Sequence, residues 1–229
     1  MTAQQLPGSA AAKHGSGDAD LTIMVAAHNA FRSDLVNLAR TVREPGRRSP
    51  DGQRSVAAGW ELFKRQLHLH HTAEDDLIWP ALRERLGHSA NALSVLDDMQ
   101  AEHELIDPLL KAVDDEFAAA TGLVDGQPRS DGLADAVDAL VTTLISHLTH
   151  EENDGLPLIG VALTAAEWRA VGFKIARRNG LSASGEMFSW LLSSAAPGET
   201  RTIIRQLPPP ARVVYKAVWK PRFAKTSRW

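Results

Sequence analysis

Two His–Glu pairs constrain this chain more than any other feature. His70 and Glu74 stand four residues apart within an apolar stripe formed by Trp60, Phe63, Leu67, Leu77 and Ile78. His147 and Glu151 repeat the spacing in a stripe of Ala136, Leu140 and Leu144, with Leu156, Leu158 and Ile159 following. At 3.6 residues per turn, each pair projects from one face of a helix. An imidazole and a carboxylate buried together are costly unless something satisfies both. Two such pairs therefore require helices that face each other, each contributing half of one metal site.

Apolar periodicity predicts four long helices. The first is capped by Asp18 or Asp20 and runs to about Arg43, with Leu21, Met24, Val25, His28, Phe31, Leu35 and Leu38 on its stripe. The second runs from about Gln53 to Leu86, with Pro80 expected to kink it just past the motif. Ser89 caps the third, which reaches about Ala120 and carries His103 between Met99 and Ile106. Pro108 is expected to disturb residues 104–107 of that helix. The fourth starts near Gly132 and ends near Gly155 or after Ile159. Short connections, including Glu44-Pro45-Gly46 and a polar loop at 121–131, favour an all-α, up-and-down antiparallel four-helix bundle.

That topology can be checked by arithmetic. His28 and His70 lie about 16 and 18 residues from the first loop, and His70 and His103 about 17 and 15 from the second turn. His103 and His147 lie about 18 and 16 from the third loop. At 1.5 Å per residue the mismatches are about 3 Å, so all four histidines can meet at one height. The predicted ligand set is His28, His70, Glu74, His103, His147 and Glu151. Six ligands with two carboxylates able to bridge suit two metal ions. Without cysteine, the imidazole and carboxylate donors suit iron, with manganese or zinc as alternatives.

Other polar residues are read more plainly. His68 and His71 project away from His70 and are read as surface or boundary residues, although His71 could support a ligand from behind. His150 could line the cavity. Asp107, four residues after His103, is a candidate seventh ligand whose geometry Pro108 puts in question. Asp75, Asp76 and Glu152 are read as a solvated acidic rim.

The formal charge of −3 gives no overall drive toward nucleic acid. No apolar run approaches the roughly 20 residues that span a bilayer, and the N-terminus lacks a signal-peptide core, so a cytoplasmic protein without membrane association is expected. Residues 1–18, including His14, are expected to form a disordered tail, residues 19–160 the bundle, and residues 161–229 a helical extension. Thr164 and Glu167 form a capping box, and Asn179-Gly180 should end that helix near Arg178. Met187–Leu192, Thr202–Leu207 and Ala211–Trp219 read as further short helices. The extension ends in a basic stretch with Trp219 and Trp229 interleaved. It is read as packing plus a solvated tail, or as a surface for an acidic partner or an anionic membrane.

The order His28, His70-x-x-x-Glu74, His103, His147-x-x-x-Glu151, with Trp79-Pro80 after the second-helix motif, resembles the hemerythrin-like (HHE cation-binding) family over residues 19–160. The extension resembles those of actinobacterial hemerythrin-like proteins. The resemblance implies a four-helix bundle around two non-heme iron ions, bridged by carboxylate and oxo or hydroxo groups. It also implies a small ligand: dioxygen, peroxide or nitric oxide. Oxygen-carrying hemerythrins have a second histidine one turn after the third-helix ligand, where this chain has Asp107. Their fourth-helix carboxylate is an Asp five residues after its histidine, where this chain has Glu151 at four and Glu152 at five. Fewer imidazoles imply a harder site, which leans toward redox turnover such as peroxide decomposition. Tyr215, the only tyrosine, lies outside the bundle, which argues against a tyrosyl-radical mechanism. A non-catalytic sensor of oxygen, nitric oxide or iron, or an iron store, is the alternative. A metal-free bundle would leave about six facing polar groups buried in the core.

Overall fold

Asp20 sets the start of the first helix: its Oδ1 accepts the Thr22 amide at 3.0 Å, and α1 spans Thr22–Thr41. A computed structural model describes residues 19–44, 49–120, 123–124, 127–128, 132–226 and 228–229. The Ser49 hydroxyl caps α2 (Pro50–Ala73) by accepting the Gly52 amide, and Pro50 occupies the first turn, where no backbone donor is needed. A π turn at Glu74–Ile78 leads into α3 (Trp79–Leu86). Ser89 caps α4 (Ala90–Ala120), as its motif predicts. A two-residue antiparallel pair, β1 (Leu123–Val124) and β2 (Gln127–Pro128), precedes α5 (Gly132–His150). A second π turn at Glu151–Gly155 leads into α6 (Leu156–Ala162). The expected tail at 1–18 with His14, and the turns at Pro45-Gly46, Gly122 and Gly126, lie outside the described residues.

The expected bundle is present, and its core shows the antiparallel order directly. Buried apolar residues form two clusters. One holds Phe31, Leu35, Phe63, Leu67, Ile106, Leu140, Leu144 and Leu148. The other holds Met24, Ile78, Trp79, Leu82, Met99, Leu156 and Ile159. Along α1 and α4 the chain passes from the second cluster to the first; from α2 into α3, and from α5 into α6, it passes in reverse. On every helix the crossing falls close to a histidine. Met24–His28–Phe31, Leu67–His70–Ile78, Met99–His103–Ile106 and Leu144–His147–Leu156 thus line up across one polar layer between two apolar ends.

The prolines act differently from expectation. The chain does not simply kink past Pro80: it widens one turn earlier, where the Trp79 amide bonds the Glu74 carbonyl five residues back. The Leu156 amide likewise bonds the Glu151 carbonyl, just before Pro157. A π turn relieves the clash and missing donor that proline imposes on a tight α-helical turn. Both widenings begin at the motif glutamate. Residues 104–107, by contrast, keep regular helical geometry within α4 despite Pro108. Glu104 and Pro108 are both exposed, so the freed carbonyl faces water.

The extension begins with α7 (Ala165–Ser194), opened by the predicted Thr164–Glu167 capping box. Gly180 breaks it in two with φ +77°, a backbone region that glycine enters without the usual steric cost. Its first arm packs Trp168, Val171 and Ile175 on the Met24 cluster. Its second arm, longer than the predicted Met187–Leu192, packs Met187, Trp190 and Leu191 on the Phe31 cluster. Three short helices follow: α8 (Pro197–Gln206), α9 (Pro209–Val214) and α10 (Lys220–Phe223), with a π turn at Tyr215–Trp219 before Pro221. Trp219 and Trp229 are anchors rather than free surface groups. A Cβ on Gly185 would stand 2.6 Å from the Trp219 ring, and one on Gly59 would stand 2.8 Å from the Trp229 ring. Among the described residues, no single helix is long and apolar enough to cross a membrane.

Candidate metal centre

Each helix delivers its histidine to the polar layer because the residue sits inside the apolar stripe, not opposite it. All six residues predicted from the sequence meet there, and all are largely buried. His71 joins them and corrects its reading as a surface or boundary residue: it is 8% exposed, and its ring stacks on that of His103 with centroids 3.9 Å apart. Asp107 is exposed on the outer side of α4 and takes no part.

The donors fall into two adjoining groups. His71, His103 and His147 form one; His28, His70, Glu74 and Glu151 form the other, with donor atoms in each group within 4.8 Å of one another. The two glutamates connect the groups. Glu74 places Oε1 3.1 Å from His70 Nε2 and Oε2 3.6 Å from His103 Nε2. Glu151 Oε2 lies 3.1 Å from His28 Nε2 and 3.9 Å from His147 Nε2.

None of these contacts has hydrogen-bond geometry. The Nε2 atoms of all five histidines and all four oxygens of the two glutamates are buried without a hydrogen-bond partner. Buried polar atoms are otherwise nearly always satisfied. Nine orphaned donors aimed at one another are the signature of groups that share a third body. Separations near 3.1 Å also match the roughly 3 Å edge of a six-coordinate shell with bonds near 2.1 Å. The residues present therefore fit metal ions.

The outer ring nitrogens are held from behind. His28 Nδ1 donates to Glu152 Oε1 at 3.0 Å, and Arg32 braces both oxygens of that carboxylate. His103 Nδ1 donates to Asp75 at 3.0 Å. His147 Nδ1 and His150 Nδ1 donate to the two oxygens of Glu102, each at 2.8 Å. This arrangement fixes the ring orientation and turns Nε2 toward the centre. It revises the reading of Asp75 and Glu152 as a solvated rim, and Glu102 escaped sequence reasoning altogether. Asp76 is exposed and pairs with Arg178 at 2.7 Å, so it does belong to the rim.

Without metal, the charges sort themselves sharply. Burial opposes charge on His28, but Glu151 and Glu152 outweigh it and push the ring up to about 9. Burial would raise Glu151, yet His28 and the neighbouring rings hold it down at about 2. Burial, with Glu151 and Asp75 close by, raises Glu74 well above the usual carboxylate range. Burial and the neighbouring imidazoles lower His70 to about 3 and hold His71 well below its ordinary value. The metal-free pocket is thus a His28–Glu151 ion pair beside a neutral Glu74 and the neutral rings of His70 and His71.

The model of the hemerythrin HHE cation-binding domain matches residues 19–159. The chain belongs to the hemerythrin HHE cation-binding family. A zinc finger protein BRUTUS-like of Arabidopsis thaliana is 25% identical over 186 residues, which is 80% of this chain and 14% of the relative. The chain thus spans about one-seventh of that relative's length. No solved structure matches. His71 from α2 adds a further imidazole beside His103 and His147. The centre therefore gathers five imidazoles rather than four, which removes the expected shortage of nitrogen donors.

Proposed function

We propose that this hemerythrin-family chain holds two iron ions in the polar layer and uses them on dioxygen, peroxide or nitric oxide, with peroxide decomposition as the leading reaction. The observation that carries the reading is the convergence of nine buried, unpartnered donor atoms in two groups joined by Glu74 and Glu151. His71, His103 and His147 would hold one ion, and His28 and His70 the other, with both glutamates shared. Imidazole and carboxylate donors without sulfur favour iron, with manganese or zinc as competitors.

Bound there, iron supplies reversible one-electron redox and an open coordination position for a small molecule. The two-imidazole group would offer four donors with the shared carboxylates and the three-imidazole group five. The chain's own residues do the rest. Glu152, Asp75 and Glu102 keep the Nδ1 protons of His28, His103 and His147 in place, so each Nε2 stays free to bind. Phe31 and Leu67 on one side and Ile78 and Met99 on the other restrict access to small molecules. Glu102 and His150 are part-exposed and provide the polar edge nearest His147.

A second reading, a ligand or iron sensor, is favoured by one contact. Phe31 lies 5.3 Å from the His70 ring and 4.8 Å from Trp190 of the extension, so a shift at His70 is felt in α7. Anaerobic iron reconstitution followed by metal analysis and a peroxide assay tests both. About two irons per chain with peroxide turnover, lost in Glu74→Ala and His147→Ala, is the expected result. Full turnover in either variant, or no iron uptake, overturns the proposal. Two irons without turnover, together with metal-dependent protection of α7 from proteolysis, selects the sensor.

A further inference from the structure

The chain is electrically divided. Residues 97–160 carry fifteen carboxylates and two cations, Lys111 and Arg129. Residues 161–229 carry twelve cations and three carboxylates, Glu167, Glu186 and Glu199. In the acidic segment Asp97, Asp114, Asp115, Asp138 and Glu152 each pair with a cation, whereas little of the extension's positive excess is neutralised internally. Of the twelve cations, Arg178 and Arg228 alone have carboxylate partners among the described residues, Asp76 and Asp34. The outward side of the last helices therefore presents Lys216, Lys220 and Arg222 without carboxylate partners among the described residues, alongside Val213 (67% exposed) and Val218 (53% exposed).

The outward side of α4 has the opposite character. Asp98 and Glu104 are exposed and have no cation within ion-pair distance among the described residues. They flank Ala101, Leu105 and Pro108, which recur along one side of the helix, and Leu105 is 60% exposed. A short apolar stripe with acidic edges thus matches a short apolar stripe with basic edges. The two do not meet within one molecule: the extension packs on α1 and α2, whereas α4 packs on α3 and α5. A bilayer is a poorer match to the basic face, because Trp219 and Trp229, the side chains that would seat it at a lipid interface, are packed inward on Gly185 and Gly59.

We infer that the basic face formed by α9, α10 and the turn between them docks onto the acidic outer face of α4 in a second copy of this chain. Unlike patches meeting head to tail leave a free patch at each end, so the assembly grows beyond two copies or closes into a ring. Charge pairing at exposed edges gives it a strong dependence on salt.

Sedimentation velocity of the full chain tests this, at about 20 mM and about 500 mM salt, ionic strengths that span weak and strong screening. The expected result is a mean mass that rises with concentration past two chains at low salt and returns to 24.9 kDa at high salt. Lys216→Glu/Lys220→Glu and Asp98→Lys/Glu104→Lys should each remain single at low salt, weakening association at least tenfold. Mixed, the two variants should assemble again, because each restores the match the other lacks. A wild-type chain that stays at 24.9 kDa at low salt overturns the inference without recourse to any variant, as does association indifferent to both reversals. A single-copy chain that instead sediments with anionic vesicles or duplex DNA overturns it in favour of that ligand. Neither pair of substitutions touches the metal-centre residues, so failure here leaves the proposed function standing, and loss of iron uptake leaves this inference standing.

Discussion

Metal uptake should expel protons, and the buried charges say how many. In the metal-free pocket His28 keeps its proton up to about 9 because Glu151 and Glu152 face it. Glu74 is held neutral by burial and by the nearby Glu151 and Asp75. A ligand must shed its proton before it binds a metal. Filling both positions at pH 7 should therefore release about two protons per chain. Removing the one on His28, which is held up to about 9, costs about 3 kcal/mol at pH 7. Apparent affinity should rise about tenfold per pH unit for each proton released. Calorimetric titration with a divalent ion at pH 7, in buffers of different ionisation enthalpy, reads the number directly from the slope. A slope below about half a proton, at full metal stoichiometry, would refute the charge assignment. The same assignment sets the stability of the metal-free protein. A folded pKa raised above 6.5 stabilises below pH 6.5, and that contribution is lost as pH rises through about 9. The metal-free melting temperature should fall across that window, by about 3 kcal/mol in free energy, while the loaded protein changes little.

Other residues give separate tests. His71→Leu should lower metal content from about two ions to about one per chain, read by elemental analysis, because it removes one of the three imidazoles of its group; an unchanged two would exclude His71 as a ligand. Glu102→Ala frees the outer nitrogens of both His147 and His150 and should weaken metal binding about 10–100-fold in chelator competition. Trp229→Ala removes an indole that donates to Asp34 at 2.9 Å and packs on Gly59, and should destabilise by about 2–4 kcal/mol in a denaturant titration.

The helices and the four-histidine layer were legible because one physical rule governs both. A histidine in phase with the apolar stripe must face the core, and equal distances from antiparallel turns put such residues at one height. His71 escaped that rule. Read on a single helix it points about 100° from His70, but two adjoining metal positions make the layer wide enough for neighbouring residues on α2 to face different halves of it. Asp75 and Glu152 carried an unread signal: each directly follows a motif glutamate, and each supports a histidine on another helix, His103 and His28 respectively. Glu102 had no such marker, since nothing in α4 alone says which side of His147 it will meet. Proline geometry was misjudged in both directions. Pro80 follows a widened turn where a simple kink was expected, and Pro108 leaves its helix intact. Proline restricts a helix without specifying how the restriction is relieved. The C-terminal helices were partly visible from caps and breakers, but their inward-facing tryptophans were not, because the glycine seats at 59 and 185 lie far away in sequence.

The clasp of Trp229 on Asp34 bridges 195 positions of the chain. During synthesis at about 5–20 residues per second, α1 waits about 10–40 s for that partner. In the last part of this interval, once α5 and α6 have been made, the bundle can close its polar layer while Asp34 still lacks the Trp229 indole. The order of events then has two stages. The metal-binding layer can form first, and the packing of the extension on α1 and α2 is completed only when Trp229 has emerged. A nascent chain arrested just short of its final residues should thus be able to take up metal while α7 remains open to protease.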